Sequence, residues 1–380
     1  MASWTLQCGA CGDSRGPTPL ATVCECGKPL LARLDFEAQE GDALPDVWAG
    51  RARGMWRFRE LLPLHDGEAP VSLGEGETPL LEATRLGPQF DGIRVLVKDE
   101  GRNPTGSFKD RGLSAAVTRA VRDGADSLVV PSAGNAAAAL AAYAARAGVP
   151  VRIFIPGDTP EGVERRCRHF GAEIVAIDGL IDECGRRAAR HSEQTGAFNL
   201  STLREPYRIE GKKTMMLEIV ESLGWRAPDA IVYPTGGGTG LIASWKVLGE
   251  LAELGLVERT TRLYSVQSSG CAPIVRAWEE DRNDAPPWEG AATEAFGLRV
   301  PAALGDFLIL EALRESRGGA VRVDDSEMRV AAGDLGRLEG INASIEGGAT
   351  LAAARKLRRE GNLRDGDTVV LFNTASLLTY

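Results

Sequence analysis

The chain is poor in what a membrane or nucleic-acid protein needs. No stretch approaches the roughly 18 uninterrupted apolar residues of a membrane span. The opening MASWTLQCGACGDSRG lacks a basic start followed by an apolar run, so no signal peptide is expected. Positive charge is in deficit: 44 Lys and Arg stand against 53 Asp and Glu, a net charge of -9. That balance argues against nonspecific nucleic-acid or anionic-membrane binding. An anionic substrate would therefore need locally arranged donors rather than a basic surface. Histidine is scarce, three in 380 residues. His65, His169 and His191 sit in segments without catalytic pattern, so no role is assigned to them. There is no solenoid-type repeat of fixed period. A cytoplasmic location is expected.

What is present is ordinary for a globular protein: 43% apolar and 26% charged residues, in a length sufficient for two or three domains. Seven cysteines fall into two groups. Cys167, Cys184 and Cys271 are scattered and read as reduced, mostly buried side chains. Cys8, Cys11, Cys24 and Cys26 crowd the start. Cys8-x-x-Cys11 and Cys24-x-Cys26, separated by a Gly/Pro/Thr-rich connector, have the look of a small zinc ribbon over residues 1–35. The second pair is short for a ribbon, which leaves a metal-free remnant as the alternative.

Beyond a polar, Trp-containing segment and the turn-rich SLGEGETPL (Ser72 to Leu80), strands and helices alternate. Short apolar runs at Ile93–Glu100, Ser127–Ser132, Val151–Pro156 and Ala172–Ile177 enclose helical segments such as Ala136–Ala147 and Glu161–Phe170. The order repeats in DAIVYPTGGG, a helix over Leu241–Leu254, RLYSVQ and DTVVLFN. Apolar β-branched runs alternating with helices predict an α/β fold with parallel sheets buried on both faces.

Four polar, Gly-rich segments follow predicted strands, where ligands collect in open α/β sheets. In NPTGSFKDRG (Asn103 to Gly112), a turn precedes Lys109 at a helix entrance. A helix dipole and partial burial would lower its pKa and favour a nucleophilic amine. The alternative is a surface lysine paired with Asp110 or a neighbour. In Ser132-Ala133-Gly134-Asn135, a strand ends and an Ala-rich helix opens, so free backbone N–H groups could bind a carboxylate. A simple N-cap is the alternative. Gly236-Gly237-Gly238-Thr239, with neither a Walker lysine nor a Rossmann spacing, suits a monophosphate. A Gly-rich turn packed on the sheet is the alternative. In the tail, LFNTASLLTY, Thr374 ends a buried strand and could reach the same cavity; helix capping or solvent exposure is the alternative. Together these features call for a phosphate, a carbonyl that a lysine can attack and an amino-acid carboxylate. Pyridoxal 5'-phosphate, held as a Schiff base, meets all three needs.

NPTGSFKDRG, AGNAAAALAAYAARAG, STLREPYRIEGKKT, YPTGGGTGL and VVLFNT resemble the threonine synthases, pyridoxal-phosphate enzymes of the fold type II, tryptophan synthase β-like family. The resemblance spans nearly the whole chain. It implies two parallel-sheet α/β domains around a cleft. The small, mobile domain would span 112–203, the large one 36–111 and 204–380, with the cysteine module in front. Lys109 would carry the cofactor and shuttle protons, with Phe108 near the ring. Asn135 would meet the 3'-oxygen, Gly236, Gly237, Gly238 and Thr239 the cofactor phosphate, and Thr374 the pyridine nitrogen. Ser132 would meet the substrate carboxylate. Arg208 would meet the substrate phosphate, helped by Asn199, Ser201 and Lys213. The alternative for Arg208 is a structural ion pair with Glu210 or Glu218. The implied reaction converts O-phospho-L-homoserine and water to L-threonine and phosphate, in a homodimer.

Three departures from the family pattern fall near the presumed substrate pocket. The tail Thr-Gly-Ser-Gly-Leu-Lys becomes Thr374-Ala375-Ser376-Leu377-Leu378-Thr379. The Pro-Glu-Gly-Ala helix entrance becomes SIEGGA, with Ile345 and Gly348. Ala133 and Ala136 replace hydroxyl residues. These changes raise a rival: β- or γ-replacement on another O-phospho-amino acid such as phosphoserine, as in cysteate synthase. A noncatalytic ligand sensor is a further alternative, against which the intact Lys109 argues.

Overall fold

The computed structural model describes residues 3–36, 41–179 and 181–379. Residues 1 and 2 of the cysteine module, 37–40 and 380 of the expected large domain and 180 of the small one lie outside that description.

The chain opens with an antiparallel sheet of β1 (Trp4–Cys8), β2 (Ser14–Arg15) and β3 (Leu30–Leu34), in the order β2-β1-β3. After α1 (Leu44–Ala49) and a 3-10 segment at Met55–Leu61 come β4 (Leu80–Glu82), β5 (Arg94–Asp99) and α2 (Lys109–Arg122). Next follow β6 (Leu128–Pro131), α3 (Asn135–Ala147), β7 (Val151–Pro156), α4 (Glu161–His169), β8 (Glu173–Ile177), α5 (Ile181–Thr195) and β9 (Phe198–Asn199). Then come α6 (Tyr207–Ser222), β10 (Ala230–Pro234), α7 (Thr239–Glu253), β11 (Arg262–Ser268), α8 (Pro273–Glu279) and α9 (Asp306–Glu315). The chain ends with β12 (Gly319–Val323), α10 (Asp325–Glu339), α11 (Ile345–Arg359) and β13 (Thr368–Asn373).

Strands β4 to β13 make two further sheets. The larger has six strands in the order β12-β11-β10-β13-β5-β4, parallel except for the edge strand β4. The smaller has four parallel strands in the order β8-β7-β6-β9. Both faces of the large sheet are covered, so its strands are mostly apolar. On β13, Val370 and Phe372 enter one core with Leu217 and Leu241, whereas Val369 and Leu371 enter the other with Leu351 and Leu357. The period-two alternation of a strand thus feeds two separate cores. The small sheet repeats the scheme: Val130 and Ile153 pack on α3, and Val129 and Phe154 pack on Cys184 and Ala188 of α5. Cys167, Cys184 and Cys271 are free and buried, as expected.

Helices α2 and α6 cross so closely that glycine is required at the contact. A Cβ on Gly211 would overlap the Arg111 carbonyl oxygen, and one on Gly112 would lie 2.8 Å from the Arg208 carbonyl oxygen. Beneath the crossing, Arg111 binds Glu100 at 2.7 Å and Glu218 at 2.6 Å, and Lys98 binds Glu218 at 2.7 Å. Removing one partner of such a buried set costs about 3–5 kcal/mol. The network therefore fixes the start of α2 against α6.

Candidate active site

Lys109 is the first residue of α2. Its Nζ lies 4.2 Å from the centroid of the Phe108 ring. Burial, with Arg208 adding to it and Glu346 opposing, pushes the Lys109 ammonium from 10.5 down to about 7. The pairing with Asp110 does not occur. Asp110 instead accepts from Thr105 N at 2.7 Å and from the Thr105 hydroxyl. Lys109 is thus a desolvated amine beside an aromatic face, as a carbonyl-attacking lysine requires.

Across from it, β10 ends in the glycine loop. A Cβ on Gly236 would overlap the Gly297 carbonyl oxygen, and Gly238 adopts φ +73° at the start of α7. Only glycine fits both demands. The N-cap of α7 receives no side-chain hydrogen bond, so its first-turn N–H groups are presented to an anion. Thr239 Oγ1 accepts from Lys212 Nζ at 2.6 Å.

Arg208 lies on the first turn of α6, 2% exposed. It pairs with neither Glu210 nor Glu218, which are held by Lys213 and Lys246 and by Lys98 and Arg111. Its Nη1 donates to Leu200 O at 2.8 Å, and its Nε has no hydrogen-bond partner among the described residues. Burial lowers its pKa, against the pull of Glu205. Leu200 lies between Asn199 and Ser201. Asn199 Oδ1 accepts from the Ser201 amide at 3.0 Å and hydroxyl at 2.5 Å, which shapes the strand end that Arg208 grips.

Lys213 does not join this group. Its Nζ is enclosed by Glu210 and Glu250, each at 2.7 Å. Burial alone would discharge it, but those carboxylates outweigh burial and raise its pKa. The lysine that reaches the site is Lys212, one residue earlier, through its bond to Thr239. Its position could have been read from spacing, because 208 and 212 share a helix face and 213 does not.

The C-terminal tail closes the other side. Phe108 N donates to Thr374 O at 2.9 Å, and Ser376 N to Gly106 O at 2.9 Å, which seats Thr374 against the Lys109 loop. Ser132 follows β6, its N–H bonded to Phe154 O at 3.0 Å. Asn135 is engaged by the tail: its Nδ2 donates to Thr379 Oγ1 at 3.3 Å and its Oδ1 accepts from Arg166 at 3.1 Å. Arg166 also donates to Thr379 O at 2.8 Å and to Thr105 O. Sequence reasoning missed Arg166, Lys212, Glu205 and Glu346. Glu205 is buried and pushed up to about 7 by that burial, against Arg208 and the N–H groups of Tyr207 and Arg208. Glu346 Oε1 accepts from Gly297 N at 2.8 Å.

The residues present fit pyridoxal phosphate. The Lys109 amine, with its lowered pKa, lies over an aromatic face. Lys212 Nζ lies 5.1 Å from the centroid of the same ring and donates to the hydroxyl at the uncapped glycine-loop helix start. Arg208 is buried nearby, with Glu205 accepting from its amide.

This arrangement defines an α/β enzyme built to hold a phosphorylated aldehyde cofactor. The chain belongs to the pyridoxal-phosphate dependent enzyme family, whose model matches residues 71–375. Within it, the chain is threonine synthase-like. It is 36% identical to a threonine synthase of Methanosarcina acetivorans over 375 residues, 98% of this chain and 91% of that one. It is 31% identical to a threonine synthase of Methanocaldococcus jannaschii over 369 residues, 97% and 91% of the two chains. The solved structure of maize serine racemase superposes with a TM-score of 0.70 over 79% of this chain and 88% of that one, at 22% identity, a likeness of fold.

The cysteine module carries a second candidate site. The sulfurs of Cys8, Cys11, Cys24 and Cys26 all lie within 4.8 Å of one another. Cys8 and Cys26 are 3.5 Å apart, Cys11 and Cys24 3.7 Å. Tetrahedral zinc with bonds of about 2.3 Å needs sulfurs about 3.8 Å apart. The four thiols therefore fit zinc. Among the described residues, no helix is long and apolar enough to cross a membrane.

Proposed function

We propose that the chain converts O-phospho-L-homoserine and water to L-threonine and phosphate. The observation that carries this reading is Arg208, a buried guanidinium with an unpartnered Nε, set beside Lys109 and Lys212. A planar guanidinium suits a phosphate dianion. The likeness to threonine synthases supports the same substrate class.

When bound, pyridoxal phosphate supplies an electron sink that weakens the bonds next to the substrate's amino-bearing carbon. The Lys109 amine, near neutral at pH 7, takes the proton from Cα and then one from Cβ. Arg208 holds the γ-phosphate as its carbon–oxygen bond breaks and the phosphate leaves. Water then adds its oxygen at Cβ and protons return to Cα and Cγ, which leaves a methyl group. Substrate and water together contain all the atoms of threonine and phosphate. Ser132 and the amides after it bind the carboxylate. Thr374 offers a neutral hydroxyl to the pyridine nitrogen. Residues 112–203 close as a unit and exclude water, with Arg166 bridging α4 to the tail.

A second reading is favoured by the tail. Thr379, buried at 4% exposure, occupies the space between Gly106 and Asn135. That filling reshapes the pocket and suits a shorter O-phospho-amino acid such as phosphoserine. The test is phosphate release from the holoenzyme with each substrate. Threonine formed in equal amount with phosphate supports the first reading. Phosphate release with phosphoserine alone supports the second. Neither response to any phospho-amino acid would return the chain to the noncatalytic alternative.

A further inference from the structure

Two consecutive lysines of α6 are buried, and they are treated in opposite ways. Lys213 is surrounded by Glu210 and Glu250. Lys212, 1% exposed, has no carboxylate within ion-pair distance among the described residues. Its ammonium offers three donors, and one is committed, to Thr239 Oγ1 at 2.6 Å. Burial, with Arg208 and Lys109 nearby adding to it and Glu205 opposing, holds the Lys212 pKa well below the ordinary lysine value, and Glu205 Oε2 already accepts from the amides of Tyr207 and Arg208. The charged form of Lys212 is poorly compensated until an anion reaches it. Its acceptor Thr239 opens α7, where the first-turn amides have no side-chain cap.

We propose that Lys212 is an anion-binding residue that clamps a phosphate monoester at the start of α7, together with Thr239 and the glycine-loop amides. Its two spare donors point to the dianion that the like charges around it lack. The chemistry is shared by the cofactor's phosphate and the substrate's, and the position beside Thr239 favours the cofactor's. The inference rests on the cofactor, not on which amino acid is turned over. It therefore survives if O-phospho-L-homoserine is not a substrate.

The test uses Lys212→Gln, Lys212→Met and Lys212→Arg in the full chain. Apoprotein is titrated with pyridoxal phosphate and, in parallel, with pyridoxal, which has the aldehyde but no phosphate; both are followed by visible absorbance. Expected is a loss of about tenfold to a hundredfold in affinity for pyridoxal phosphate in the Gln and Met variants, the size of a charge-assisted hydrogen bond. Pyridoxal affinity should stay within about twofold, and Arg should restore part of the loss. A loss seen instead only as weaker binding of inorganic phosphate to the holoenzyme would support the clamp and assign it to the substrate's phosphate. Equal losses for both aldehydes with a lowered apoprotein melting temperature would make Lys212 a packing residue and overturn the proposal. So would unchanged affinity for all three probes.

Discussion

At the scale of single residues, the site is governed by which buried charges have partners. Arg208 lowers the Lys109 pKa, second to burial. Neutral Lys109 is the form that captures an aldehyde, so the rate of cofactor capture by apoprotein should rise with pH, level off above about 7, and report that amine directly. Arg208→Gln should move the midpoint upward, because a repelling cation has gone; stopped-flow absorbance across pH checks it, and an unmoved midpoint would separate the two residues. Folding follows the same sign. Between about 7 and 10.5 the unfolded chain holds a proton on Lys109 that the folded chain does not, so on this account apoprotein stability rises with pH through that window. Arg208→Lys keeps the charge and loses the planar fork. It should raise KM for the phosphorylated substrate by about tenfold to a hundredfold. Lys109 and the glycine loop stood out in the sequence because each lies where a strand or turn meets a helix, whereas Arg208 was singled out by the family resemblance alone. Lys212 was not, because a Lys-Lys pair does not say which member faces the cleft until the helix phase from Arg208 is counted.

At the scale of elements, backbone approach decides what the loops can hold. Gly236 and Gly237 look alike in sequence, yet they differ in space. A Cβ on Gly236 meets the backbone oxygen of Gly297, whereas one on Gly237 would lie 3.2 Å from Thr202 Cγ2, a side-chain methyl that can shift. Gly236→Ala should therefore displace the loop, cost about 1–3 kcal/mol and weaken pyridoxal phosphate binding strongly. Gly237→Ala should be mild, and titration of the two apoproteins compares them. Most of the parallel strands were legible from their apolar runs, because burial on both faces leaves few polar positions to confuse the pattern, but β12, with an arginine in five residues, was not. The two-residue strands β2 and β9, the antiparallel edge β4 and the 3-10 segment at Met55–Leu61 were not. Such pieces have too little periodicity to register, and tertiary pairing alone defines them. The same holds for the tail. Its altered residues were visible, but the clasp of Thr379 by Asn135 and Arg166 joins positions 244 and 213 residues apart.

At the scale of the whole molecule, the cysteine module packs against the start of α6. Trp4, on β1, stacks on His65 at 4.5 Å and meets the Tyr207 ring edge-on at 6.5 Å. Tyr207 opens α6 and immediately precedes Arg208. The four sulfurs sit at the far end of the same strand, so a metal that orders them also orders the surface against which α6 begins. A structural zinc contributes folding free energy outright. Purified protein should hold about one zinc per chain. Stripping it with a chelator, or Cys8→Ser with Cys26→Ser, should lower the melting temperature by about 5 °C or more. The coupling adds a second, more specific expectation. KM for the phosphorylated substrate should rise while the affinity for pyridoxal phosphate holds, because Arg208 stands next to Tyr207 and the glycine loop does not. A drop in melting temperature with KM unchanged would make the module a stabilising cap with no hold on the site.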